Sequence, residues 1–214
     1  MPLRGEVPSI LRRMARPEAL YVLFIPIYLA CFALVERAVP GDGFYHVSYL
    51  PLDDRIPFVE CFVIPYCLWY PLLAGTGVFL LLADPAELRR YMRFLMLGFG
   101  FSLLFCLAVP NGQELRPEVF ARDNLFTALL ELIYAADTNT NVFPSMHVIG
   151  CGAVVWAAFG GGAALRRFRG GAAALCLLVC ASTVLVKQHS VLDVIAGAAV
   201  SLLIGTLLYR KPPS

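Results

Sequence analysis

Long apolar runs recur along the chain and are separated by short polar stretches. Six of these runs come close to the roughly 20 apolar residues that a membrane-spanning helix needs, and they lie at about residues 19–36, 57–83, 92–110, 143–165, 171–188 and 191–209. Their lengths predict an all-α fold, a bundle of six transmembrane helices. A shorter apolar stretch, Leu125–Tyr134, cannot span a bilayer, and we expect it to lie at the membrane interface or to cap a cavity.

The composition supports a membrane protein and excludes two other classes. Of the 214 residues, 59% are hydrophobic and 15% are charged, whereas a soluble domain has about 45–50% apolar and about 25% charged residues. A soluble enzyme and a disordered chain are therefore both excluded. The net charge of +2 without a basic stripe argues against a nucleic-acid partner. The length predicts a single membrane domain over residues 1–214.

The basic residues divide unequally between the two ends of the predicted helices. One end has twelve, namely Arg4, Arg12, Arg13, Arg16, Arg89, Arg90, Arg93, Arg166, Arg167, Arg169, Arg210 and Lys211. The other end has five, namely Arg37, Arg55, Arg116, Arg122 and Lys187. Since Lys and Arg accumulate on the cytoplasmic side, we predict both termini in the cytoplasm. The membrane is then the cytoplasmic (plasma) membrane, crossed six times.

No metal or other cofactor is expected from the sequence. The seven cysteines all lie within apolar runs, without CxxC pairs and without histidines at zinc-ligand spacing. We interpret them as small buried hydrophobic residues. The extracytoplasmic end has no acidic cluster of the kind that binds magnesium.

Three polar stretches reach the extracytoplasmic ends of the third to sixth apolar runs: residues 111–117, 144–147 and 187–193. Arg116 and Lys187 are cations that can bind phosphate oxygens. The fourth run starts on this side, so its free N–H groups, that of Met146 among them, form an anion site. Ser145 can cap this helix or donate to a phosphate. The polar residues 137–141 precede this stretch, and we expect them to shape the pocket.

His189 and Asp193 are four residues apart and would share one face of a helix. The carboxylate can hold the proton on one ring nitrogen and leave the other free to attack phosphorus. His147, on another helix, can act as the general acid that protonates the leaving oxygen. These groups together predict phosphoryl transfer without a metal.

These motifs resemble those of the type 2 phosphatidic acid phosphatase superfamily, which includes vanadium haloperoxidases. The family motifs read KxxxxxxRP, PSGH and SRxxxxxHxxxD. This chain matches them over residues 109–197 at Arg116 and Pro117, at Ser145 and His147, and at Ser182, His189 and Asp193. The resemblance implies a phosphohistidine at His189, supported by Asp193, with His147 protonating the leaving group.

Three positions depart from the family motifs. Val109 and Thr183 replace a lysine and an arginine, and Met146 replaces the glycine of PSGH. We expect Lys187 to compensate for one lost cation and the backbone N–H of Met146 to remain available. The stretch HSVLDV is similar to the HYTxDV motif of the sphingomyelin synthase and inositol phosphorylceramide synthase branch, whose members transfer a phospho-headgroup to a lipid alcohol.

The predicted function is a membrane lipid phosphatase that acts on a phosphate ester or anhydride at the outer face of the membrane. Phosphatidic acid, phosphatidylglycerol phosphate and a polyprenyl diphosphate are the expected types of substrate. The alternative is a lipid phosphotransferase with a lipid alcohol as acceptor. More distant alternatives are an anion-binding transporter or scaffold without turnover, and a serine intramembrane protease that uses Ser145.

Overall fold

The computed structural model describes residues 17–38 and 44–210. These residues form seven α-helices: α1 (Phe24–Ala38), α2 (Val63–Ala83), α3 (Pro85–Ala108), α4 (Leu125–Ala136), α5 (Met146–Gly160), α6 (Arg169–Leu185) and α7 (Val191–Tyr209). The 3-10 turns Pro17–Leu23, Glu60–Phe62 and Arg166–Phe168 lead directly into α1, α2 and α6, and the connection between α1 and α2 contains a further 3-10 turn, Asp53–Arg55. Two short strands, β1 (His46–Val47) and β2 (Asn111–Gly112), pair in parallel.

Five helical stretches are long and apolar enough to cross a membrane. They are Pro17–Ala38, Glu60–Ala83, Pro85–Ala108, Arg166–Leu185 and Val191–Tyr209. The predicted segment 143–165 instead contains α5, which has 15 residues and at 1.5 Å per residue is only about 22 Å long. The helix is short because Ser145 is extended in front of it and Gly161 is extended after it. Six crossings therefore stay a prediction, while the mostly helical membrane protein is confirmed.

Helix α5 is the centre of the bundle and packs against α2, α3, α6 and α7. Nine of its fifteen residues are buried, so neighbouring helices cover it on most sides. Its contact with α7 is close at Gly152, where an added Cβ atom would lie 2.4 Å from Ser201 Oγ. Small residues permit such close helix approach in membrane proteins. The short helix is thus a core element whose first turn is held firmly in place.

Polar side chains determine the residue at which three of the helices begin. Asp84 caps α3 by accepting the Glu87 N–H at 3.1 Å, and Pro85 occupies the first helical turn, where a missing N–H costs nothing. Asn124 and Ser190 each form a capping box at the start of α4 and α7. Because a capping side chain satisfies N–H groups that have no partner within the helix, the chain can turn sharply at these points.

One end of the bundle gathers the three polar stretches. The backbone N–H of Ser145, before α5, donates to the Asp193 carbonyl of α7 at 3.1 Å. The Phe143 N–H donates to Asn111 Oδ1, beyond the end of α3, at 2.8 Å. The opposite end has most of the basic residues that the structure describes, at the starts of α3 and α6 and the end of α7. Arg4, Arg12, Arg13, Arg16 and Lys211, which also entered the orientation prediction, lie outside the described residues.

Candidate functional site

His189 and Asp193 meet at the start of α7. His189 lies in the turn before the N-cap residue Ser190 rather than on the helix itself. Its Nδ1 is 3.3 Å from Asp193 Oδ2, which also accepts the Ser190 N–H at 2.9 Å. Asp193 is fully buried, and a buried carboxylate needs such donors to remain charged. The capping box therefore fixes the carboxylate that faces the histidine ring.

His147 completes a row of three groups. It lies in the first turn of α5, and its Nδ1 is 3.3 Å from His189 Nε2. The His147 ring packs between Trp69 and Tyr66, with ring centroids 4.4 and 4.6 Å away. If His189 donates its Nδ1 proton to Asp193, its Nε2 has a free lone pair that accepts from His147. This lone pair is the one that could attack phosphorus, so an arriving substrate must replace the contact between the two histidines.

Both histidines line a cavity of about 210 Å³. One wall is polar and comprises Asp137, Thr138, Thr140, Asn141 and Gln188. The apolar and aromatic part of the lining, called the apolar wall below, comprises Tyr28, Leu29, Phe32, Trp69, Tyr70 and Met146. Leu29 and Tyr70 are 56% and 58% exposed, so the apolar wall continues to the surface of the bundle. The cavity suits a ligand with a polar head and an apolar tail.

Ser145 and Met146 lie at the start of α5, and of the two only Met146 lines the cavity. Ser145 is the N-cap residue of α5, but its side chain makes no cap hydrogen bond. Its buried Oγ has no partner among the described residues, so the hydroxyl is free to bind a ligand. Met146 places its side chain in the cavity wall, and its Sδ accepts a hydrogen bond from Tyr28 OH at 2.7 Å. A glycine at this position would leave that space open.

Arg116 does not reach the cavity, although the sequence predicted it as a phosphate-binding cation. Its guanidinium donates to the carbonyls of Tyr134, Asp137 and Thr138 at 3.2, 2.9 and 2.7 Å, and to Gln188 Oε1. Burial lowers the pKa of Arg116, while Asp137 raises it. The side chain lies behind the polar wall and holds the chain after α4 against Gln188. The direct contact of Arg116 with phosphate stays a prediction.

Lys187 is also placed elsewhere. Its ammonium donates to the carbonyls of Asp53 and Ile56 at 2.9 and 2.7 Å. Its backbone is left-handed, with φ of 54°, and this conformation turns the side chain towards the connection between α1 and α2. Burial lowers the pKa of Lys187, and the nearby Asp53 and Asp54 oppose this shift. Lys187 therefore attaches that connection to the end of α6, and its role as a phosphate-binding cation stays a prediction.

Two acidic residues at the site, Asp137 and Glu36, had no individual role in the sequence interpretation. Asp137 lines the cavity, and its pKa is raised to about 6, mainly by burial and further by Glu36, although His189 and Arg116 lower it. Glu36, near the end of α1, accepts hydrogen bonds from Thr138 and from Asn141 Nδ2, the latter at 2.7 Å. The polar run at residues 137–141 was the sequence signal for this wall. Nothing in the sequence linked Glu36 to it, because more than 100 residues separate them.

The described residues contain no group of three or more His, Cys, Asp or Glu side chains that could hold a metal ion. The site consists of His147 and His189, the carboxylates of Asp193 and Asp137, the Ser145 hydroxyl and the first turn of α5. In chemical terms it offers a nucleophile with its orienting carboxylate, a second histidine for proton transfer, and an anion-binding helix start.

The comparison with known protein families finds one match, and it covers most residues of this site. The family model of the PAP2 superfamily matches residues 95–213, which is more than half of the chain. The match includes α5, α6 and α7 together with both histidines. No curated protein and no solved structure matches the chain.

Proposed function

The chain belongs to the PAP2 superfamily, whose members are phosphoryl-transfer enzymes, and from this premise we propose that it is a membrane lipid phosphatase. The observation that carries the proposal is the row Asp193–His189–His147 along the wall of a cavity with one apolar side. This row supports a covalent mechanism through His189. The apolar side supports a lipid as substrate.

In the first step, His189 Nε2 attacks the phosphorus of the substrate and forms a phosphorus–nitrogen bond. Asp193 accepts the hydrogen bond from Nδ1–H and stabilises the positive charge that develops on the ring. The bond from phosphorus to the leaving oxygen breaks, and protonated His147 gives its proton to that oxygen. Its Nδ1 is the nitrogen that faces His189 and hence the reacting atoms.

In the second step, water attacks the phosphohistidine. Neutral His147 accepts a proton from this water, the phosphorus–nitrogen bond breaks, and its electron pair returns to His189 Nε2. Inorganic phosphate leaves, and both histidines regain their starting states. His147 thus serves as acid and then as base, as microscopic reversibility requires for two related steps.

Neither Arg116 nor Lys187 lines the cavity, so we propose that other donors hold the phosphate there. The N–H groups in the first turn of α5 have no partner within the helix, and the positive end of the helix dipole favours an anion there. Ser145 Oγ, buried without a partner among the described residues, is next to them. These donors, with the backbone N–H of Met146, form the proposed phosphate site.

The proposed substrates are lipids with a terminal phosphate ester or anhydride, such as phosphatidic acid, phosphatidylglycerol phosphate or a polyprenyl diphosphate. The side chains of Tyr28, Leu29, Phe32 and Tyr70 would contact the apolar part next to the phosphate. We propose that the lipid comes from the bilayer of the cytoplasmic membrane and that the site faces its extracytoplasmic side.

A lipid phosphotransferase is the second candidate, and one observation favours it. The stretch from His189 to Val194 is similar to the motif of a branch that transfers headgroups to lipid alcohols. In that case a lipid hydroxyl replaces water in the second step. Release of one inorganic phosphate per substrate consumed would exclude the transferase, whereas a new phospholipid product would support it.

The test is a panel of lipid phosphates assayed with the purified protein in detergent. We expect His189→Ala to lower kcat by at least about a thousandfold, since it removes the nucleophile. The matched control is His46→Ala, because His46 is exposed in β1, and this variant should retain wild-type activity. We also expect activity to persist in chelator, and vanadate to inhibit by occupying the phosphate site.

A phosphorylated intermediate should be trapped by rapid quenching and should be labile to acid, as a phosphohistidine is. Turnover that survives in His189→Ala would contradict the mechanism. Loss of turnover in Ser145→Ala, together with a labelled serine, would point instead to a serine nucleophile. A wild-type protein that binds lipid phosphates but forms no product would support the transporter or scaffold alternative.

A further inference from the structure

The connection between α1 and α2 lies across the start of α7. Its strand β1 pairs with β2, and the flanking hydrogen bonds are from His46 N–H to the Pro110 carbonyl at 2.9 Å and from Ser48 N–H to the Gly112 carbonyl at 2.7 Å. Ser48 is only 5% exposed. This short sheet therefore holds a buried serine at a set position beside the catalytic carboxylate.

Ser48 Oγ donates to Asp193 Oδ1. The other oxygen, Oδ2, faces His189 Nδ1 and accepts the Ser190 N–H. The two oxygens of one buried carboxylate thus have separate donors, from two distant parts of the chain. A carboxylate bound on both oxygens cannot rotate about its side-chain bond without losing one of them.

A second attachment keeps the connection in place close to Ser48. Asp53 accepts from Ser190 Oγ and from the Val191 N–H, both at 2.8 Å, and its own carbonyl accepts from Lys187. These bonds do not involve Asp193. The position of Ser48 is consequently set by β1 on one side and by Asp53 on the other, independently of the catalytic carboxylate.

We propose that Ser48 is a positioning residue of the catalytic centre: its hydroxyl holds Asp193 so that Oδ2 faces His189. The proposal rests on the proposed function. Hydrogen bonds to a charged group are stronger than those between neutral groups, and leaving one oxygen of a buried carboxylate without a donor favours its protonation. Ser48 lies outside residues 95–213, so the matched family region acquires this contact only through the tertiary fold.

The titratable groups around Asp193 come from several elements. His189 precedes it on the same helix end, His147 lies beyond His189 on α5, Asp53 binds the same turn, and Cys106 of α3 interacts with it electrostatically. Removal of the Ser48 donor changes none of these neighbours. A change in the pH profile of a Ser48 variant therefore reports on the lost hydrogen bond to Asp193.

The experiment compares Ser48→Thr with Ser48→Val, two side chains of nearly the same shape, of which only threonine keeps the hydroxyl. We expect Ser48→Val and Ser48→Ala to lower kcat by about ten- to hundredfold, as for loss of a hydrogen bond to a charged group, with little change in KM. The acid limb of their kcat–pH profiles should move to higher pH. Ser48→Thr should stay within about threefold of wild type.

Ser201→Ala is the matched control, because Ser201 is also 5% exposed but donates to the Gly197 carbonyl in its own helix. It should retain the wild-type kcat and pH profile. Melting curves in detergent show whether each variant is folded. If Ser48→Thr and Ser48→Val crowd the site equally, the two variants still differ in the hydroxyl alone.

Equal kcat values and equal pH profiles for Ser48→Thr and Ser48→Val would overturn the positioning role. A loss confined to KM would overturn it as well. If His189→Ala kept its turnover, the proposed function would fail first. If His189→Ala were inactive while Ser48→Val matched wild type, only the role of Ser48 would fail.

Discussion

The carboxylates of Asp193 and Asp137, both close to His189, have different surroundings. Asp193 accepts from Ser48, from the Ser190 N–H and from the histidine ring. Asp137 has Tyr66 OH at 3.5 Å as its side-chain hydrogen-bond donor, and burial raises its pKa to about 6. The first environment holds both carboxylate oxygens in hydrogen bonds beside His189. The second makes the charge costly near neutral pH.

This difference predicts a pH-dependent gain in stability for Asp137→Asn. With a folded-state pKa of about 6 against 3.8, the folded protein binds the Asp137 proton more tightly than the unfolded chain does. The free energy of unfolding therefore falls as pH rises from about 4 through about 6, by up to roughly 3 kcal/mol. An asparagine side chain does not ionise, so the variant should melt several degrees above wild type at pH 7.5 and near it at pH 4.

Thermal melts in detergent at both pH values measure the effect. The control is Asp123→Asn, which changes an exposed aspartate in the connection before α4 and should alter neither melt. A variant Asp137→Asn that melts below wild type at pH 7.5 would show that its ionised carboxylate stabilises the fold.

Helix α1 has a different role from the central helices. Only 11% of the most apolar 18-residue stretch within Pro17–Ala38 is buried. The helix packs mainly on α3, where the ring centroids of Tyr28 and Phe99 are 4.9 Å apart. Glu36 binds the polar wall of the cavity through Asn141. The helix is therefore attached at its polar end, while Leu29 and Phe32 form part of the apolar wall.

We predict that a bulky residue in this wall hinders lipids but not small phosphate esters. Leu29→Trp should raise KM or lower kcat/KM for a long-chain lipid phosphate by about tenfold or more, as the loss of a few buried methylene contacts would. Hydrolysis of a short, soluble phosphate ester should change little. Leu34→Trp is the control, because Leu34 is equally apolar and 64% exposed on α1 but does not line the cavity.

Assays of both variants with both substrates measure the ratio of the two activities. A Leu29→Trp variant that loses both activities together would indicate damage to the catalytic centre. Unchanged lipid activity would mean that the lipid does not pass along α1.

At the scale of the whole molecule, the polar residues separate into two ends with different tasks. The end with the histidines has the strand pair, α4 and the connection that carries Ser48. The opposite end has the arginines at the starts of α3 and α6. There Glu87 accepts a hydrogen bond from Tyr209 OH at 2.6 Å and forms an ion pair with Arg90 at 2.9 Å. Such an asymmetry of Lys and Arg favours the second end as cytoplasmic.

This orientation predicts which positions can be reached from outside the cell. An epitope tag inserted between Arg122 and Asp123, both exposed, should bind antibody on intact cells. A tag fused after the C-terminal residue should bind only after the membrane is made permeable. Since both tags sit on the same protein, each is the control for the other. The reverse pattern would place the histidines on the cytoplasmic side.

The apolar pattern predicted the helices well where it was long and uninterrupted, as at α2, α3, α6 and α7. It predicted α5 less well. This helix begins only after Pro144 and Ser145 and ends before Gly161, inside an apolar run, and hydropathy does not detect such changes of backbone conformation. The roles of Arg116 and Lys187 were predicted from charge and proximity in sequence. Their partners in the structure are backbone carbonyls of other segments and, for Arg116, also Gln188 Oε1, which no sequence pattern identifies.

The sequence by itself determined the membrane environment, the helical fold, the family and the pair His189 and Asp193, because hydropathy and a four-residue spacing act locally. Only the tertiary structure decided which polar side chains surround the two histidines, since Ser48, Glu36 and Asp137 come from segments far apart in the chain. A hydrogen bond depends on distances of a few tenths of an ångström and on direction. Such precision arises from packing. Packing places Ser48 against the Asp193 carboxylate, and it places Arg116 and Lys187 against backbone carbonyls of other segments.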